Sequence, residues 1–269
     1  MKHIIFHNKK IVYRTEGSGN GNPVMLLHGF AEDGTIWNYQ LEKLKEKFLV
    51  IIPDLPGSGQ SPLLEGKIFI EDYAEVVKAI MVAELLNDQK NLFTLIGHSM
   101  GGYITLAFAE KYPGLLQAFG LFHSSAYADD DAKKESRKKG IEFIKNNGAI
   151  SFLKNTSPNL FSDITKKVKP ELVEQLIDLS RYFSDEALIQ YYETMMQRPD
   201  RTPVLQSFNR PVLFMIGKGD NAVPLQASLE QVHLPSVAHV KILQNSGHMG
   251  LWEEKEEATL FLMNFLLQL

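Results

Sequence analysis

The stretch Leu95-Ile96-Gly97-His98-Ser99-Met100-Gly101-Gly102 decides the fold. The residues ahead of it, Asn91 to Ile96, suit a buried strand. The residues behind it, Tyr103 to Tyr112, carry apolar side chains at helical spacing. Between them stands Gly97-x-Ser99-x-Gly101, the spacing of a nucleophile elbow. The reason for that spacing is steric. A serine on a very tight strand-to-helix turn is held in strained backbone, and side chains two residues away on either side would collide. An ordinary glycine-rich turn can carry the same five residues. The strand before and the helix after favour the elbow.

Outward from this turn, strands and helices alternate. His3 to His7 and Lys10 to Thr15 read as a hairpin, and Glu16 to Pro23 as a long turn. Val24 to Leu27 and Phe48 to Ile52 are continuous apolar runs, the pattern of strands buried on both faces. Thr35 is placed to cap a helix carrying Trp37, Leu41 and Leu44. Ile70 to Leu86 is amphipathic, with Tyr73, Val76, Val77, Ile80, Met81 and Leu85 on one face. Leu116 to Phe122, Pro211 to Gly217 and His239 to Leu243 are further strands; Pro224 to Gln231 and Trp252 to Leu267 are helices. From about Asp129 to Arg201 only helical patterns occur: Asp130 to Asn146, Ala149 to Lys154, Pro170 to Tyr182 and Ser184 to Gln197. Lys133, Lys134, Arg137, Lys138 and Lys139 read as a solvated helix face.

This rhythm implies an α/β fold with a mostly parallel sheet covered on both faces. The expected division is a core of residues 1–128 and 203–269 with a helical cap of residues 129–202. In such sheets ligands sit at the carboxyl ends of the strands, where the loops after Leu27, Ile52, Ile96, Gly217 and Leu243 gather. The bulk properties agree with one large domain. The chain has 269 residues, 44% of them hydrophobic and 22% charged, with a net charge of −4. That charge draws the chain neither to nucleic acid nor to anionic membranes. There is no cysteine, which excludes disulfides and thiolate chemistry. No signal-peptide pattern opens the chain, and no apolar run approaches the roughly 20 residues of a membrane span. A cytoplasmic protein is expected, with a small-molecule substrate and no nucleic-acid or membrane partner.

A serine hydroxyl is a weak nucleophile until a base takes its proton, and the base needs a third group to orient it. Of the eight histidines, His248 is best placed as base, in the loop Asn245-Ser246-Gly247-His248 after the last strand. His3, His7, His233 and His239 read as surface or satisfied polar residues, and His28 and His98 as structural hydrogen-bonding groups inside their motifs. Asp220, in Gly217-Lys218-Gly219-Asp220, is the acid that keeps the order Ser…Asp…His. Asp54 precedes the serine and reads as a support of the Pro56-Gly57-Ser58-Gly59 turn. An oxyanion would need backbone donors already aimed at it; the amides of Met100 and Phe30 are the candidates. No histidine–carboxylate cluster has metal-ligand spacing, so neither metal nor cofactor is expected.

Together, His28-Gly29-Phe30, Asp54-Leu55-Pro56-Gly57-Ser58-Gly59-Gln60-Ser61, Gly97-His98-Ser99-Met100-Gly101-Gly102, Gly217-Lys218-Gly219-Asp220 with Pro224, and Gly247-His248 resemble the α/β-hydrolase fold superfamily. The resemblance implies an eight-stranded sheet, a helical cap between strands six and seven, and a Ser99–Asp220–His248 triad. Serine at 99 sets the chain apart from members whose nucleophile is aspartate. It is similar to small carboxylesterases, C–C bond hydrolases, cofactor-free perhydrolases and the proline iminopeptidase group. A carboxylesterase working through an acyl-enzyme is the leading expectation. C–C hydrolysis, perhydrolysis, or a sensor that retains the triad are the alternatives. Phe30, Met100, His123, Ser124, Tyr127, Val223 and Met249 are expected to line the pocket because they adjoin the motifs. Phe152, Leu160, Phe161, Tyr191 and Met195 read first as cap core. A mostly apolar lining is expected, favouring acyl or aromatic substrates.

Overall fold

Apolar alternation along each strand divides its side chains between two hydrophobic layers, and that division builds the molecule. The computed structural model describes residues 1–17, 23–85 and 92–269. The middle of the turn expected over Glu16 to Pro23, the side chain of Leu85, Leu86 and the Asn91 start of the elbow strand lie outside them. The strands are β1 (Lys2–Phe6), β2 (Lys9–Glu16), β3 (Val24–Leu27), β4 (Val50–Pro53), β5 (Phe93–His98), β6 (Leu116–Phe122), β7 (Val212–Gly217) and β8 (Ala238–Leu243). They form one sheet in the order β1-β2-β4-β3-β5-β6-β7-β8. The pairs β1–β2 and β2–β4 are antiparallel and all others parallel.

The helices before the insertion are α1 (Asn38–Leu44), α2 (Ile70–Leu85) and α3 (Met100–Lys111). Between β6 and β7 the chain runs through α4 (Asp131–Asn147), α5 (Ala149–Thr156), α6 (Asp163–Val168), α7 (Glu171–Ser180), α8 (Asp185–Gln197) and α9 (Thr202–Ser207). After the insertion come α10 (Leu225–Leu229), α11 (Gly250–Glu253) and α12 (Lys255–Leu266). The short helix α6 carries no apolar period long enough to be read from sequence. The expected closing helix is broken in two at Glu254, whose φ of −123° and ψ of 50° interrupt it.

Met25, Leu27, Leu95, Phe119, Leu121, Phe214 and Ile216 face one layer with α2 and α3. Their neighbours Val24, Leu26, Ile96, Ala118, Phe122, Leu213 and Met215 face the other, with Trp37, Leu41 and α12. Full burial of each such side chain contributes roughly 1.5–3 kcal/mol. Tyr73, Val76, Val77, Ile80 and Met81 on α2 are buried as their spacing requires. One cap differs from expectation. Asp33, not Thr35, caps the turn ahead of α1: its carboxylate accepts the Thr35 amide at 2.8 Å. A carboxylate at the start of a helical turn competes well with a hydroxyl two residues later.

Register sets the height of the functional loops. Leu27 pairs with Gly97, Gly97 with Leu121, and Gly217 with Leu243. The loops after β3, β5, β6, β7 and β8 therefore leave the sheet at one end. Among the described residues no helix is long and apolar enough to cross a membrane.

Candidate active site

The turn after β5 is as tight as its glycines demand. Ser99 has φ 51° and ψ −114°, a region that costs a side-chain-bearing residue energy. A Cβ on Gly97 would stand 2.2 Å from the backbone of Gly101. One on Gly101 would stand 2.7 Å from the carbonyl oxygens of Leu27 and His28. Both contacts are with backbone and cannot be relieved by a rotamer change. Gly29 continues this packing, since a Cβ there would lie 3.0 Å from that of Ser99. The loop bearing Phe30 is thus pressed against the serine.

His248 and Asp220 meet across the ends of β7 and β8. His248 Nδ1 is 2.8 Å from Asp220 Oδ2, while Oδ1 accepts the amides of Ala222 and Val223 at 2.8 Å each. Burial alone would raise the carboxyl's pKa. The adjacent His248 and His123 outweigh burial and hold Asp220 below the usual carboxylate range. A carboxylate only accepts, so Nδ1 of His248 is the donor to Asp220, and Nε2 is the ring nitrogen left to take a proton from the serine. Ser99 and His248 line one cavity of ≈180 Å³.

A second carboxylate–histidine pair supports the first. Glu32 Oε2 accepts the Gly29 amide at 2.5 Å and lies 2.9 Å from His98 Nδ1. The other ring nitrogen of His98 is 3.0 Å from the carbonyl oxygen of His248. Both partners of His98 are acceptors, so satisfying both requires the doubly protonated ring. Burial would depress its pKa, but the Glu32 carboxylate and the His248 carbonyl outweigh burial and hold it above the ordinary histidine value. Glu32 is correspondingly held below its ordinary value. This pair links the Gly29–Phe30 loop to the His248 loop behind the serine. Because the folded pKa of His98 is raised, its contribution to stability is complete below the unfolded value of about 6.5 and fades as pH climbs through the folded value. Thermal unfolding of the intact protein is therefore expected to show Tm falling on the alkaline side. Glu32→Gln should lower Tm at pH 7 and flatten that alkaline fall; an identical alkaline slope in the variant would contradict the pairing.

The remaining expected supports are present. His28 Nε2 accepts the Leu55 amide at 2.9 Å and lies 2.8 Å from Ser58 Oγ. Asp54 accepts the amides of Gly34 and Gln60, at 3.1 and 3.0 Å. The helical insertion grips the His248 loop. Its Leu160 carbonyl accepts the His248 amide at 2.7 Å, and Ser162 Oγ donates to the Asn245 carbonyl at 2.6 Å. Glu253 accepts the amides of Ser162 and Gly247, at 2.9 and 2.8 Å.

The pocket lining differs from expectation in several places. Phe30 and Val223 line the cavity with Ser99 and His248. Met100 is fully buried, so only its amide can serve the site. His123 is no lining residue. It is buried behind Asp220 with Nδ1 3.3 Å from Oδ2, out of alignment for a hydrogen bond, and burial pushes its pKa down to about 4. Its φ of 49° turns the chain at the end of β6. Ser124 lies beneath the elbow and donates to the Ser99 carbonyl at 2.7 Å. Met249 is buried in the layer with Trp252. Tyr127 lines a second cavity, of ≈540 Å³. Sequence adjacency fails for these four because it does not fix where a side chain points once the strand has ended, as the left-handed turn at His123 illustrates.

Phe152, Phe161 and Tyr191 are core, as read, whereas Leu160 and Met195 reach the Ser99 cavity. The charged face of α4 is the larger correction. Arg137 is buried, and both it and Lys133 line the Ser99 cavity together with Glu32. The lining is mixed rather than mostly apolar. His123, Asp220 and His248 also bring one ligand atom each within 4.8 Å of one another, a grouping that their spacing in sequence does not reveal.

A family model described as alpha/beta hydrolase fold matches residues 22–137. The fold of the chain is the α/β-hydrolase fold. It is 26% identical to the AB hydrolase superfamily protein YisY of Bacillus subtilis, over 98% of this chain and 99% of the relative. Its structure is similar to that of a thermophilic esterase from Thermogutta terrifontis with malate bound: TM-score 0.90, 28% identity, 97% of this chain and 94% of the other covered. An enol-lactonase from Burkholderia xenovorans LB400 shares the fold, with a TM-score of 0.88 and 20% identity over 98% and 99% of the two chains.

Proposed function

We infer that the protein is a carboxylesterase acting on a small ester through an acyl-enzyme. Ser99 is the nucleophile, His248 the base, and Asp220 the acid that orients it. The observation that carries this reading is the short, buried Asp220–His248 contact opening on the cavity that Ser99 lines. Ser99 Oγ bonds to the acyl carbon while its proton passes to His248 Nε2. The amides of Phe30 and Met100 receive the developing oxyanion. Collapse breaks the acyl–oxygen bond, and the alcohol leaves with the proton from His248. Water then gives its proton to the same nitrogen and attacks the ester of Ser99, releasing the carboxylic acid and the free serine.

The similarity to an esterase over nearly the whole of both chains supports ester over C–C or peracid chemistry. In this reading residues 129–202 form the cap, since their Leu160, Tyr192 and Met195 close the cavity over the serine. The substrate is a small molecule, and the mechanism uses no metal or cofactor. The test is pre-steady-state hydrolysis of p-nitrophenyl acetate. A burst of one nitrophenolate per protein, followed by slower steady turnover, is expected. No turnover of this or other short esters would overturn the reading.

A further inference from the structure

Lys133, Ser136 and Arg137 stand at positions i, i+3 and i+4 of α4, which share one face of a helix. All three line the cavity that holds Ser99 and His248. An ammonium, a hydroxyl and a guanidinium on one face make an anion-binding set. The existing ion pairs do not neutralise it. Asp129 accepts Arg137 Nε at 2.6 Å and also lies 2.8 Å from Arg198 Nη1. One carboxylate thus serves two guanidiniums. Lys133 Nζ donates to the neutral Ala222 carbonyl at 3.0 Å, and among the described residues it pairs with no carboxylate. The cavity's own acid, Glu32, is matched by His98.

The scaffold also holds these groups in place. Arg137 is buried, with its guanidinium 5.3 Å from the Tyr192 ring centroid, and Tyr192 stacks on Phe30 at 4.5 Å. Arg137 already meets Asp129, but the half-buried Lys133 faces the chamber with only a neutral carbonyl on its ammonium, and a positive group held against a low-dielectric wall favours an anion beside it. An apolar acyl chain would not supply one. The wider second cavity shares Tyr103, Lys133, Ala222 and Val223 with the first, but in its lining the carboxylates of Asp129, Asp130, Asp200 and Glu230 outnumber the cations of Lys133 and Arg198. A negative group is therefore favoured in the smaller chamber and disfavoured in the larger.

We propose that the substrate is a hemiester of a short dicarboxylic acid. Its ester carbonyl sits at Ser99 and its free carboxylate on Lys133, Ser136 and Arg137. The volume of ≈180 Å³ limits the acyl part to a few carbons. The alcohol part points to the second cavity. This rests on the ester-hydrolase reading above and names its substrate class.

Two assays test it separately from that reading. In the first, kcat/KM for monomethyl succinate is compared with that for its neutral isostere, in which an isopropyl group replaces the carboxylate. The expected preference for the hemiester is about tenfold or more, the size of one charge-assisted hydrogen bond. Lys133→Met should lower that ratio about tenfold, and Lys133→Arg should keep most of it. A ratio near one, or a ratio unmoved by Lys133→Met, overturns the proposal. In the second, succinate binding to the Ser99→Ala protein is measured by calorimetry. Saturable binding weakened about tenfold by adding Lys133→Met supports the anion subsite even if neither ester is turned over, in which case the esterase reading alone falls. No saturable binding, or binding indifferent to Lys133, overturns the subsite.

Discussion

The Ser99→Ala protein is expected to hydrolyse a short ester with kcat lower by about 10⁶-fold, the loss seen when a triad nucleophile is removed elsewhere. The fold should survive the change. The backbone contacts of the elbow do not use the Ser99 hydroxyl: its amide donates to the Phe122 carbonyl at 2.9 Å, and its carbonyl accepts the Gly102 amide at 2.9 Å and Ser124 Oγ at 2.7 Å. Alanine at positive φ is already tolerated at Ala31, with φ 57°. The loss should therefore appear with unchanged circular dichroism and a Tm within a few degrees. Turnover by the variant within about tenfold of wild type would show that another group attacks the ester.

The second large effect is expected from Asp220→Asn, about 10⁴-fold in kcat, or roughly 5.5 kcal/mol of activation free energy. The direction follows from the hydrogen bonds around the carboxylate. The Ala222 and Val223 amides both donate to Oδ1. They fix the carboxamide oxygen of an asparagine at that position and turn its NH₂ toward His248 Nδ1. A donor there moves the ring proton to Nε2, where it blocks acceptance of the Ser99 proton. The change is small in volume, so the pocket keeps its shape and KM should move far less than kcat. A variant with nearly full kcat would mean that Asp220 serves the turn alone. Steady-state kinetics over a pH series checks both numbers.

The parts of this site that are legible in sequence are those that local chain geometry dictates. Gly97 and Gly101 flank Ser99 because backbone passes within 2.7 Å of where their side chains would stand. The strands β3, β4 and β7 are legible because burial on both faces leaves uninterrupted apolar runs, such as Val24–Leu27. The electrostatic part of the pocket is not legible. Lys133 and Arg137 lie among Lys134, Lys138 and Lys139, and only the packing of α4 against α8 sends Arg137 inward, onto Asp129 and Tyr192. Glu32 looks like one more polar loop residue until the fold brings His98 to within 2.9 Å of it. A signal for Glu32 did exist: an acid three residues after Gly29 is within reach of that amide. His123, Ser124 and Met249 adjoin the right motifs, but packing sends their side chains behind Asp220, under the elbow and into the core.

The central claim is that Ser99 becomes covalently acylated. Peptide mass spectrometry after treatment with a serine-directed fluorophosphonate tests it most directly. A single adduct is expected, on the peptide containing Gly97-His98-Ser99-Met100-Gly101, absent from Ser99→Ala and strongly slowed in His248→Ala. An unmodified Ser99 in active protein, or an adduct on any other residue that accounts for the loss of activity, would contradict it.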